Sequence, residues 1–174
     1  MKNRLIAASM VLLLLAPFLF GGCLDSVTKG GFEIYLTKSN IPPSQMEILS
    51  RVAIADTPLI SGDDIKSYTW NTHEIELTAE AWDRLNALKV PTTGTTFIVC
   101  LGKEPIYWGA FWTPISSQSF EGVVIVRPIS IPAGVPNYFI TLSLGYPDSS
   151  FYRGEDPRSN PGIKDALEKA GKLK

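Results

Sequence analysis

Short windows of strict apolar/polar alternation punctuate this chain, with one window of three-residue recurrence among them. At 32 to 37, Phe32, Ile34 and Leu36 alternate with Glu33, Tyr35 and Thr37, the period of a half-buried strand. Ile41, Pro42 and Pro43 break it, and residues 44 to 54 fit a short helix and a strand equally well. Residues 61 to 64, Ser-Gly-Asp-Asp, offer a cap and a turn. Beyond them Tyr68 and Trp70 alternate toward Asn71 and Thr72, and His73, Ile75 and Leu77 alternate away. That spacing predicts a hairpin with an aromatic cluster on one face. Thr78 then caps a helix over 79 to 90, with Glu80 in the first turn where the helix dipole favours an acid. Trp82, Leu85 and Leu88 face the sheet, and Pro91 ends the helix.

Four more strands follow. Residues 96 to 102 and 106 to 113 read as a second hairpin around a turn at 103 to 105, and the first of these is almost wholly apolar, as a strand covered on both faces should be. Residues 123 to 129 and 138 to 146 supply two strands, joined by a loop or edge crossing at 130 to 137 that carries Pro132, Gly134 and Pro136. A polar stretch leads to a final helix from about Pro161. Strands interspersed with two helices predict one α+β domain over 32–174, with a mixed or antiparallel sheet covered by helices on one face.

The N-terminus changes the picture. Lys2 and Arg4 precede an uncharged run at 5 to 20, and Gly21, Gly22 and Cys23 follow. Basic start, apolar middle and small residues make a secretory signal. Phe20-Gly21-Gly22-Cys23 resembles the lipobox of prokaryotic lipoproteins, although Phe20 stands where Leu is usual. That resemblance implies a signal peptide at 1–22 and a diacylglycerol thioether on Cys23. Residues 23–31 then tether the domain to the extracytoplasmic face of the cell membrane. An uncleaved anchor helix is the alternative, because the charge-free stretch reaches Leu24, about enough to cross a bilayer. Pro17 and the two glycines weaken the end of such a helix, and secretion with simple cleavage is the third reading. Loss of 22 residues leaves 14 basic against 17 acidic side chains. A weakly acidic domain without a basic patch points away from nucleic acid.

Chemistry is sparse. His73 and Cys100 are the only soft metal ligands beyond Cys23, too few for a zinc site. His73 reads as a packing residue of the hairpin and Cys100 as a small buried hydrophobe. No nucleotide, hydrolase or metalloprotease motif appears. Asp63 and Asp64 suit a cap better than a cation site. No catalytic residue, metal or cofactor is therefore expected.

Aromatic residues are the stronger signal. Tyr107, Trp108, Phe111, Trp112 and Phe120 fall within fourteen positions. In a strand, Tyr107 and Phe111 share one face and Trp108 and Trp112 the other. Either both faces are covered or one is a binding surface. Ser116, Ser117 and Gln118 lie in the small polar segment before Phe120 and join the candidate binding set. Arg153 and Arg158 join it as receivers of an anionic group, unless they pair locally with Glu155 and Asp156.

Residues 58–124 also resemble a family. Leu59-Ile60-Ser61-Gly62-Asp63-Asp64-Ile65, then Leu77-Thr78-Ala79-Glu80, then Phe97 to Leu101 with the Gly102-Lys103 turn, are similar in order and spacing to the extracytoplasmic head domain of SecD, a protein-export membrane subunit. The resemblance implies a ferredoxin-like α+β arrangement and a role in holding or guiding unfolded polypeptide. It departs at the hairpin, where Trp108, Phe111 and Trp112 replace small residues, and nothing corresponds to the family's membrane spans. The expected function is a non-enzymatic, lipid-tethered domain that binds a protein or peptide partner in the cell envelope. A receptor for a small molecule or a cell-wall glycan is the alternative.

Overall fold

The computed structural model describes residues 31–127 and 138–174. Cys23, almost all of the tether and the 130–137 connection lie outside the described residues. The architecture is α+β: a mixed five-stranded sheet, a three-stranded antiparallel sheet and two helices. The strands are β1 (Phe32–Leu36), β2 (Ile65–Thr69), β3 (Glu74–Leu77), β4 (Thr95–Leu101), β5 (Glu104–Trp112), β6 (Phe120–Val126), β7 (Phe139–Thr141) and β8 (Ser143–Tyr146). The larger sheet runs β1-β4-β5-β6-β8 and the smaller β2-β3-β7. Helix α1 (Ala79–Ala87) lies between β3 and β4 in the chain, and α2 (Pro161–Lys169) follows β8.

One core unites these elements. Phe32 and Ile34 of β1, Phe97 and Val99 of β4, Tyr107 and Phe111 of β5, and Val123 and Ile125 of β6 form the inner face of the larger sheet. Against it pack Tyr68, Ile75 and Ile140 of the smaller sheet, Trp82 and Leu85 of α1, and Ile163 and Leu167 of α2. Both helices thus contribute to the core on the same side of the larger sheet. Thr78 caps α1, its side chain accepting from the Ala81 amide at 3.2 Å, and Asn160 caps α2 by accepting from Gly162 at 2.8 Å. Arg127 closes the other end of α1, donating to the carbonyls of Leu88 and Asn86 where cations favour the helix dipole. Helix α1 ends at Ala87, short of Pro91, because Leu88 already turns to an extended backbone.

Two expectations change, and one pairing that the sequence pattern leaves open is assigned. Strand β1 is not half-buried: Tyr35 is as enclosed as Phe32, each 2% exposed, because residues 41 to 54 fold back over its other side. That stretch forms two 3₁₀ turns, Pro43–Gln45 and Leu49–Arg51, and a bridge from Ile54 to Thr37. The run at 138 to 146 is two strands in two sheets, broken at fully buried Leu142, whose amide donates to the His73 carbonyl at 3.0 Å. And β6 lies parallel to β5, with Gly109 opposite Val123 and Trp112 opposite Val126. Parallel neighbours ordinarily need a dozen or more connecting residues. Here 113–119 make the return.

A candidate binding groove on the outer face of the larger sheet

Alternation along β5 sends its aromatic residues to opposite destinations. Tyr107 and Phe111 enter the inner core, at 5% and 0% exposure. They are packing residues and take no part in a surface. Trp108 and Trp112 face outward, where no α-helix lies among the described residues. At one end of that outer face, Ile41, Met46, Leu49, Val52 and Ile54 cover Tyr35, Ile98 and Cys100. At the other, Phe120 and Tyr146 pack on Ala110, Trp112 and Val124. Between the two patches lies a groove of about 580 Å³, within the size range of small-ligand sites.

Three rings shape it. Trp112, 3% exposed, is the floor. Phe120 stacks on it with centroids 5.2 Å apart at 22°. Trp108 stands 5.9 Å from Phe120 at 60°, so these two partly exposed rings form walls of a notch and not one flat shelf. Gly94 makes the floor fit: its φ is +80°, and a Cβ there would lie 2.3 Å from the Trp112 ring. Tyr146 braces the far side, 5.9 Å from Trp112, with its hydroxyl donating to the Pro114 carbonyl at 3.2 Å.

The crossover 113–119 forms a rim. Ser116 is buried and anchors it, its hydroxyl donating to the Thr92 carbonyl at 2.6 Å and accepting from the Gln118 amide at 3.2 Å. Ser116 therefore holds the rim without facing the groove, while Gln118 lines it. Ser117 is exposed and outside the lining. Pro43, Ser44, Thr93, Ser119, Glu121 and Gly122 also line the groove. Ser119 belongs to the small polar segment before Phe120, and Glu121 and Gly122 follow that ring, but no local signal marks Pro43, Ser44 and Thr93, which reach the groove only through the folded chain.

The arginines separate. Arg153 lines the groove. Its amide donates to the Glu121 carbonyl at 3.0 Å, and its Nη1 donates to the carbonyls of Ser150 and Tyr152, both at 2.9 Å. Arg158 belongs elsewhere. It pairs with Asp156 through Nε and Nη2 at 2.8 and 2.7 Å and donates through Nη1 to the Leu142 carbonyl at 2.6 Å. It thereby fastens the polar loop to the point where the chain changes sheets, beside a separate hollow of about 380 Å³. Its hydrogen bond is the main reason that the Asp156 carboxyl stays below its ordinary pKa.

The remaining chemical candidates are engaged in packing or capping. Burial pushes the Cys100 thiol up to about 12, with Glu33 adding to the effect. His73 packs against Tyr68 and Trp70, its Nδ1 sharing a hydrogen bond with the Tyr68 hydroxyl at 2.9 Å. His73 and Cys100 therefore sit on opposite sides of the larger sheet. Asp64 accepts from the Ser61 amide and hydroxyl, each at 2.8 Å, and pairs with Arg84 at 2.5 Å, which makes it a cap. Among the described residues no three His, Cys, Asp or Glu side chains converge as metal ligands, and no helix is long and apolar enough to cross a membrane.

Comparison with protein-family models, with curated proteins and with solved structures finds no match for this chain.

Proposed function

We propose that this protein is a lipid-tethered binding domain of the cell envelope that holds a protein or peptide partner in the outer-face groove. The observation that carries the reading is the notch between Trp108 and Phe120, two partly exposed rings at 60° over a buried Trp112. Aromatic side chains set in a concave, polar-rimmed surface dominate binding contacts. The two inclined rings touch each other and present their exposed edges to the groove, where an apolar side chain can pack over them. A pyranose ring, in contrast, stacks on a flat shelf, so the geometry favours a peptide over the glycan reading. The resemblance to the SecD head points the same way but adds no residue to the groove.

The membrane location rests on sequence: positive charge, apolar run, Gly21-Gly22 and then Cys23 support a thioether-linked diacylglycerol and an extracytoplasmic domain. Several acyl chains would hold it firmly, since each buried methylene contributes about 0.8 kcal/mol. Mass spectrometry of the natively expressed protein checks this part. A free thiol on a chain that still begins at Met1 would contradict it.

The groove is tested with random peptides displayed on phage and selected against the full chain in detergent. Selected peptides should bind wild type at least tenfold more tightly than Trp108→Ala. Trp112 is unsuited to this test, because its removal would hollow the floor. Equal binding to wild type and the folded Trp108→Ala variant would rule the groove out.

A further inference from the structure

We infer that the groove selects peptides that carry a carboxylate one or two residues from an apolar anchor, with Arg153 receiving the carboxylate. The inference rests on the peptide-binding reading above and adds the ligand's charge and its placement.

The state of the guanidinium carries it. Arg153 has no carboxylate within 4 Å among the described residues, although acidic side chains are plentiful in this chain. It is nevertheless held in place. Its amide is fixed to Glu121, and Nη1 is clamped by the Ser150 and Tyr152 carbonyls. That clamp uses one nitrogen and leaves Nε and Nη2 unengaged by protein among the described residues. Those two N–H groups form one edge of the guanidinium, the parallel fork that binds a carboxylate through two hydrogen bonds. A fixed arginine loses little side-chain freedom on binding, which is the usual cost of recruiting such a residue.

Arg158, five positions on, shows the alternative arrangement. Its Nε and Nη2 already take up Asp156 in that same two-pronged geometry, so its fork is closed by the protein itself. The two arginines thus differ in the feature that decides availability for a ligand. The one with the open fork is the one that lines the aromatic groove. Glu121 shares the groove lining, so the field there is not uniformly positive. A carboxylate must be carried to Arg153 by an anchor seated in the groove against Trp108 and Phe120, and free anions gain little.

The test uses two pools of acetylated, amidated hexapeptides with Phe, Trp or Pro two positions before Asp in one pool and before Asn in the other. Each is passed over the full chain immobilised in detergent, and retained peptide is measured by mass spectrometry. The Asp pool should be retained about tenfold more than the Asn pool, the effect of one charge-assisted pair. Arg153→Gln should erase that ratio while leaving Asn-pool retention unchanged, and Arg158→Gln should leave the ratio intact wherever it folds. Equal retention of the pools by wild type, or an Asp preference that survives Arg153→Gln, overturns the inference and leaves the groove standing. Retention of neither pool removes both. In a separate arm, short-chain phosphatidylglycerol that binds the immobilised full chain through Arg153 and displaces the Asp pool would assign the fork to a lipid headgroup and overturn the peptide carboxylate.

Discussion

The two faces of strand β5 differ in what closes them. Tyr107, Gly109 and Phe111 look into a space sealed by both helices and the second sheet. Trp108, Ala110 and Trp112 look toward a face that two separate patches cover only at its ends. The same nine-residue strand therefore serves as core on one side and as groove on the other. The lesson is that aromatic residues on both faces of a strand do not by themselves mean two buried faces. What decides is whether another element arrives to cover each one.

Breaking the inner face should have the largest effect. Phe111→Ala removes a fully buried ring packed 5.0 Å from Phe97, and a loss of about 3–5 kcal/mol is expected in urea unfolding. Gly109→Ala tests the same face by overfilling it. A Cβ there would lie 2.4 Å from the Val123 carbonyl oxygen and 2.5 Å from the Phe97 ring, so about 1–3 kcal/mol should be lost as the strands are pushed apart. On the outer face, Trp108→Ala should cost less, about 1–2 kcal/mol, because the ring is already partly in water, yet it should remove peptide binding. A Trp108 variant that unfolds as readily as Phe111→Ala would erase the contrast.

Protonation sharpens the comparison with a smaller effect. Burial holds the His73 imidazole below its ordinary pKa, and nearby Arg158 adds to this, while Asp156 opposes it. Folding therefore favours the neutral ring. Its contribution is fully present above the unfolded value of about 6.5 and is lost as pH falls toward the lowered folded value. Melting temperature should fall between pH 7 and 5, and His73→Asn should flatten that part of the profile. Asn is chosen because His73 has a φ of +52°, which Asn tolerates. Asp156 acts lower on the scale. With its folded pKa depressed chiefly by Arg158, the pair stabilises above about pH 4 and the contribution disappears as pH drops through the folded value. Asp156→Asn should remove that acid-side loss, at a neutral-pH cost of about 0.2–1 kcal/mol.

Much of the fold was legible because its signals are local. Alternation at Tyr68, Ile75 and Leu77 gave the first hairpin, Thr78 gave the start of α1, and the apolar run at 97 to 101 gave a strand covered on both sides. The opposite facing of Tyr107 and Trp108 was also readable, since period-2 geometry requires it. What alternation cannot report is which element reaches a face. Tyr35 reads as the polar side of β1 until residues 41 to 54 fold over it. Leu142 continues an unbroken alternating run from 138 to 146, and only burial at the junction of two sheets divides that run. Parallel pairing of β5 with β6 across 113–119 runs against the expected connection length, and that crossover makes the groove rim. Arg153 and Arg158 look equivalent in a polar stretch. Their difference lies in three-dimensional neighbours, a pair of carbonyls for one and Asp156 for the other.

The central claim is that the outer face of β5 is where this protein meets its partner, and the four tryptophans allow a direct measurement. Indole N–H signals of the ¹⁵N-labelled chain should be followed by NMR during titration with a peptide selected on the wild-type protein. The account predicts that the Trp108 and Trp112 signals move together and saturate, while those of Trp70 and Trp82, which pack with the inner core, stay in place. Movement of Trp70 or Trp82 with Trp108 and Trp112 unmoved would contradict it.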